Sequence, residues 1–157
     1  MFYLESRKLY LAFTDEKVTV APDEPVAWSI DVSRSGPGTI TAVTSGPHNS
    51  STPTEIVQND DGTVNITFSP PTVGIYHTDV LWNNRKVHGC PFTVFVSDPT
   101  KCVAHGEGLY QARLNESACF EVTTIGAGPG KVNARACCGE EEIPIEVMKV
   151  TDSRRTN

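Results

Sequence analysis

An all-β chain, folded as an antiparallel sandwich and built from a repeated unit, is what this sequence predicts, on three observations. Short runs of β-branched and aromatic residues recur about every ten residues, separated by Gly, Pro, Asn and Asp. No stretch carries a 3.6-residue apolar period long enough for a helix. The phrase Ser35-Gly36-Pro37-Gly38 returns as Ala127-Gly128-Pro129-Gly130, a shift of 92 positions, with its flanks in register. Residues 28–32 lie over 120–124, and residues 39–42 over 131–134. That period is too long for a solenoid turn but suits a tandem array of small β domains.

The elements follow in order. Residues 17–20 form a first strand and residues 26–32 a second, with Trp28, Ile30 and Val32 sharing a face. Gly36-Pro37-Gly38 turns the chain into a third strand, residues 39–44, in which Ile40, Ala42 and Thr44 share a face. Residues 45–53 form a Pro/Ser/Asn-rich loop before a short fourth strand, residues 54–57. Asn59-Asp60-Asp61-Gly62 is a tight-turn signal, because Gly62 supplies the positive φ that a hairpin demands. Val64, Ile66 and Phe68 then alternate through a fifth strand, residues 63–69, which Pro70-Pro71 ends. A sixth strand covers residues 74–82, and a seventh residues 90–96. Seven short strands at this spacing indicate two packed antiparallel sheets.

Asp98-Pro99-Thr100 reads as the boundary, since Pro interrupts strand pairing. The second unit restarts with strands at residues 101–109, 118–125, 131–138 and 143–150, and reaches Asn157 partway through the pattern. The expected organisation is an N-terminal extension (1–14), a complete unit (15–98), a linker (99–100) and the first half of a second unit (101–157). A half unit cannot close its core, which favours completion by another segment, a dimer or a strand-swapped assembly.

Composition narrows the function classes. The chain has 157 residues, a net charge of −6, 38% hydrophobic and 20% charged residues, and no basic cluster larger than Arg154-Arg155. A nucleic-acid surface needs a basic stripe, and none is present. No apolar run approaches the ~20 residues of a membrane span. The start, Met1-Phe2-Tyr3-Leu4-Glu5-Ser6-Arg7-Lys8, lacks the apolar core of a secretory signal. Five cysteines, with Cys137 and Cys138 adjacent, match no disulfide framework. The expected compartment is reducing, with the thiols free. Three Asn-x-Ser/Thr triplets, at Asn49, Asn65 and Asn115, have low specificity in a Ser/Thr-rich β protein.

No motif signals catalysis or a cofactor. His48, His77, His88 and His105 show no metal-ligand spacing, and Cys102 with Cys137-Cys138 cannot make paired two-cysteine knuckles. A catalytic cysteine needs a cationic surrounding that the pattern does not supply. Gly126-Ala127-Gly128-Pro129-Gly130 lacks the Lys-Ser/Thr and the helix of a phosphate loop. Asp60-Asp61 and Glu140-Glu141-Glu142 lack the alternating oxygen pattern of a calcium loop and read as solvated charge. The expectation is a non-enzymatic chain with no metal and no cofactor.

Five motifs in order carry a family resemblance: Gly36-Pro37-Gly38; Ser45-Gly46-Pro47; Asp60-Asp61-Gly62-Thr63-Val64; Pro70 followed by Gly74-Ile75-Tyr76; and His88-Gly89-Cys90-Pro91-Phe92. Together they resemble the filamin-type immunoglobulin-like repeat, in full over 15–98 and as a first half over 101–152. Cys90, Cys137-Cys138 and Asp152-Ser153 depart from the family's pattern. Structural roles fall to Gly36, Gly38, Gly62 and Gly74 in turns and close approaches. Tyr76 suits a tyrosine corner, Pro91 a bend before the last strand, and Phe92 the core.

The resemblance implies a scaffold of the actin cytoskeleton whose partners, receptor tails or signalling proteins, add a strand in a groove between the third and fourth strands. The physics is β-augmentation on an unpaired sheet edge. Thr41, Val43 and Ser45 would face that groove, with Thr54, Ile56 and Val57 as the opposing wall. In the second unit the matching positions are Asn133, Arg135 and Cys137, where Arg135 introduces a charge and weaker or different ligand choice. Actin association would run through the parent array, since nothing here resembles the family's actin-binding segment. The alternatives are an extracellular adhesion module and a filamin-like repeat of a ubiquitin-ligase scaffold.

Overall fold

The computed structural model describes residues 18–113, 115–138 and 140–150. The N-terminal extension, Lys17 and residues 151–157 lie outside the described residues. Among the described residues nine strands precede the boundary: β1 (Val18–Val20), β2 (Val26–Asp31), β3 (Ile40–Ser45), β4 (Ser51–Thr52), β5 (Glu55–Gln58), β6 (Thr63–Phe68), β7 (Gly74–Trp82), β8 (Arg85–Lys86) and β9 (Phe92–Val96). They form two sheets. One runs β1-β9-β7-β3-β4, with β8 added to β7, and the other runs β2-β6-β5. All pairings are antiparallel except β1 with β9. Among the described residues there is no α-helix.

The core follows from period-2 alternation. Val64, Ile66 and Phe68 of β6 are buried, and their register partners on β2 are Ile30, Trp28 and Val26. Tyr76 and Val80 of β7 and Val94 and Val96 of β9 face them from the other sheet. Trp28 ties the two layers, its ring stacked on Phe68 at 5.3 Å and tilted against Phe92 at 5.6 Å.

Turn chemistry fixes the register. Gly62 has φ +82°, and Asp61 Oδ1 accepts from both the amide (2.9 Å) and the hydroxyl (2.6 Å) of Thr63. Those bonds hold the Asp61 carboxyl below its ordinary range. Gly74 enters β7 at φ +144°, with its missing side chain replaced by the ring of Pro47. Two residues on, buried Tyr76 donates its hydroxyl to the Thr72 carbonyl (3.0 Å) and accepts the Thr72 amide (3.3 Å). Tyr76→Phe should lower stability by about 1–2 kcal/mol, read as a lower urea midpoint with an unchanged slope.

The boundaries differ from expectation in places. The loop at 45–53 holds a 3-10 turn (Pro47–Asn49) and the two-residue strand β4. The last strand starts at Phe92, because Cys90 donates its amide to the Val87 carbonyl within a turn.

Beyond the boundary the strands are shorter: β10 (Val103–His105) pairs with β11 (Glu121–Thr123), and β12 (Ala136–Cys138) with β13 (Glu141–Ile143). The extended run expected over 131–138 shrinks to its last three residues, and the run over 143–150 to Ile143. In the first unit the matching β3 is held by the nine-residue β7, and the described C-terminal residues contain no counterpart of it. Phe120, Ile125, Val147 and Met148 are exposed.

Candidate functional site

The site is built from the backbone of β3. In an antiparallel ladder, one residue's N–H and C=O point to the same neighbour, and successive residues alternate sides. Asn83 donates its amide to the Thr39 carbonyl (3.0 Å), so Thr39, Thr41, Val43 and Ser45 turn their peptide groups towards β7. On the opposite side Gly46 donates to the Ser50 carbonyl (2.8 Å), and the ladder with β4 contains Thr44↔Thr52 and Ser45↔Ser51. Ile40 and Ala42 are left with their peptide groups directed at the edge. Among the described residues no strand pairs with them.

The chain vacates this path at Pro53. After β4 it crosses to the other sheet, where β5 pairs with β6 as an edge strand. The crossing is fixed by hydroxyls: Thr54 Oγ1 donates to Thr44 Oγ1 (2.9 Å), which lies 2.8 Å from Thr78 Oγ1. Thr44 and Thr78 are buried, and each hydroxyl satisfies the other. Thr54, at the entry to β5, is thereby held against Thr44 at the β4-paired end of β3.

The sequence-derived residues separate into three groups. Thr41 and Val43 point outward from β3, and Val43 is 60% exposed. Ser45 lies opposite Ser51 and reaches the His77 carbonyl at 3.4 Å. On the wall Thr54 is engaged with Thr44, Ile56 packs against the core, and Val57 is exposed on the outer face of its own sheet. Thr41 and Val43 present outward side chains, while the peptide groups turned to the edge belong to Ile40 and Ala42. Alternation shows which side chains face inward, but the side on which a peptide group points depends on the partner strand.

Across β3 from that edge, Asp79 (opposite Val43) and Lys86 form an ion pair at 2.7 Å. A pair this exposed adds little stability. Cys90 is half-buried against Val80, and burial pushes its thiol up, away from the reactive thiolate.

The C-terminal counterparts stand differently. Asn133 lies outside any strand, Arg135 is ion-paired to Glu142 at 3.2 Å, and Cys137 sits in β12 opposite Glu142.

The described residues form an immunoglobulin-like sandwich with a partly unpaired edge strand, and that architecture sets the class of domain. The chain belongs to the Filamin/ABP280 repeat family, whose model matches residues 12–93. It is 29% identical over 147 residues, 85% of its length, to filamin-C of Rattus norvegicus and likewise to filamin-C of Mus musculus. It is 35% identical over 107 residues, 65% of its length, to filamin-A of Drosophila melanogaster. The chain spans 5% of the length of each of these relatives. Among solved structures, the Lin-41 filamin domain is similar over 53% of this chain and 86% of that one, with a TM-score of 0.45 and 18% identity.

Proposed function

We propose that the chain is a non-enzymatic interaction module that takes an extended segment of a partner protein as an added strand along residues 40–43 of β3. The carrying observation is the set of edge-directed peptide groups on Ile40 and Ala42, beside the exposed, uncharged Thr41 and Val43. A strand laid there continues the path that β4 leaves at Pro53, and its inward side chains meet Ala42 and Ile56, both only partly buried. Within this reading residues 101–157 are the start of a second repeat, and the module works inside a longer filamin-like scaffold that organises actin in the cytoplasm.

The test is amide exchange on the whole chain, with partner segments captured by it and then synthesised as peptides. Saturating peptide should slow exchange at Ile40 and Ala42 by at least about tenfold, leaving Thr41 and Val43, already bonded to β7, unchanged. Protection confined to other strands would overturn the reading.

A further inference from the structure

The C-terminal segment touches the first unit through the repeated phrase itself. Ala127 is 6% exposed, the only buried hydrophobic residue described beyond the boundary, and its carbonyl accepts the Asp98 amide at 2.8 Å. Gly128 is placed so that a Cβ would lie 2.6 Å from the Val96 carbonyl oxygen and 2.9 Å from Val73 Cβ. At the equivalent position of the first unit Gly36 has the same left-handed backbone, φ +73° against +81°, yet a Cβ there would meet nothing within 4 Å. Backbone conformation alone accounts for a glycine at 36. At 128 a second requirement is added, the room to approach another unit's backbone.

We infer that the pole of the first unit formed by Val73 and Val96, Ser97 and Asp98 is a docking surface, and that its partner is the Gly-Pro-Gly loop of the following unit, here residues 126–130. The contact is small, so the connection must help to hold it. Asp98 Oδ1 accepts from the Thr100 amide (3.0 Å) and hydroxyl (2.5 Å), Pro99 stiffens the turn, and the Cys102 amide closes it on the Pro99 carbonyl (3.0 Å). A connection of a few ordered residues keeps the loop at high effective concentration beside its seat, so a modest contact suffices to fix one orientation. The joint is a fixed one, and the two units do not swing freely about residues 99–100.

The paired glycines supply a matched test in the full chain. Asn tolerates the left-handed backbone, so Gly128→Asn keeps the loop's shape while driving a side chain into Val96, and Gly36→Asn makes the same change where nothing is near. Protection of the Asp98 amide and the rotational correlation times of the two units are read by NMR. The unmodified chain and Gly36→Asn should protect Asp98 and tumble as one body, while Gly128→Asn should lose at least about tenfold in protection and show two tumbling times. If Gly128→Asn also unravels the β10–β11 ladder, Val73→Glu, which leaves the C-terminal sequence intact, must reproduce the loss. Independent tumbling of the unmodified chain, or an Asp98 amide indifferent to both Gly128→Asn and Val73→Glu, would overturn the joint.

Discussion

Replacing Ile66 by alanine is expected to destabilise the first unit by about 3 kcal/mol and to lower its melting temperature by about 10–20 °C. Ile66 is fully buried on the central strand of the three-stranded sheet, opposite Trp28 on one side and Ile56 on the other. Both flanking strands are tied to β6 by their own ladders, so neither can collapse into the space that the lost methyls leave. The cost therefore includes the cavity as well as the lost transfer energy. A sandwich of this size has little stability in reserve, so such a loss brings it close to unfolding at physiological temperature. Val57→Ala is the internal comparison. It lies one residue from Ile56 on the same strand but is 46% exposed, and its cost should stay within about 0.5 kcal/mol. Calorimetry of the two variants checks the contrast, and equal losses would mean that the core is not centred on β6.

That core was legible because it rests on local pattern. The alternation of Val64, Ile66 and Phe68 after an Asp-Gly turn specifies both a strand and the face it buries, with no knowledge of the rest of the chain. What was not legible depends on pairing. Nothing in Ser51-Thr52 distinguishes a two-residue strand from the loop around it, and β4 exists because Gly46 and Ser50 close a turn that lays those residues against Thr44 and Ser45. The parallel pairing of β1 with β9 is similarly non-local. The C-terminal segment shows the same limit from the other side: residues 131–134 copy the first-unit pattern, yet no ladder forms there among the described residues. The joint had a visible trace, the repeated Gly-Pro-Gly phrase. Its contact role could not be read, because Gly36 and Gly128 look alike until their neighbours are known.

Two substitutions on adjacent residues should separate edge pairing from binding on the sheet's outer face. Val43→Asp changes an outward side chain whose own peptide groups are engaged with β7. It sets a carboxylate opposite Asp79 and beside any added strand, the kind of charge that keeps natural edges unpaired. Ala42→Pro removes the amide that faces the open edge, the one side of a strand where proline is tolerated within a sheet. It leaves the ladder to β7 whole and does not alter the outer face. If a partner adds as a strand, both variants should lose at least tenfold in affinity, about 1.4 kcal/mol, by titration calorimetry with the captured peptide. Folding is checked in the same samples by thermal melts. Val43→Asp should lose no more than about 1 kcal/mol, and Ala42→Pro about 1–3 kcal/mol for the added ring against a partly buried site. A partner lying flat on the outer face, across Val43 and Asp79, would be weakened by Val43→Asp and indifferent to Ala42→Pro. That pattern would move the site from the edge to the face, because the peptide groups of Ile40 and Ala42 would then have no part in holding the partner.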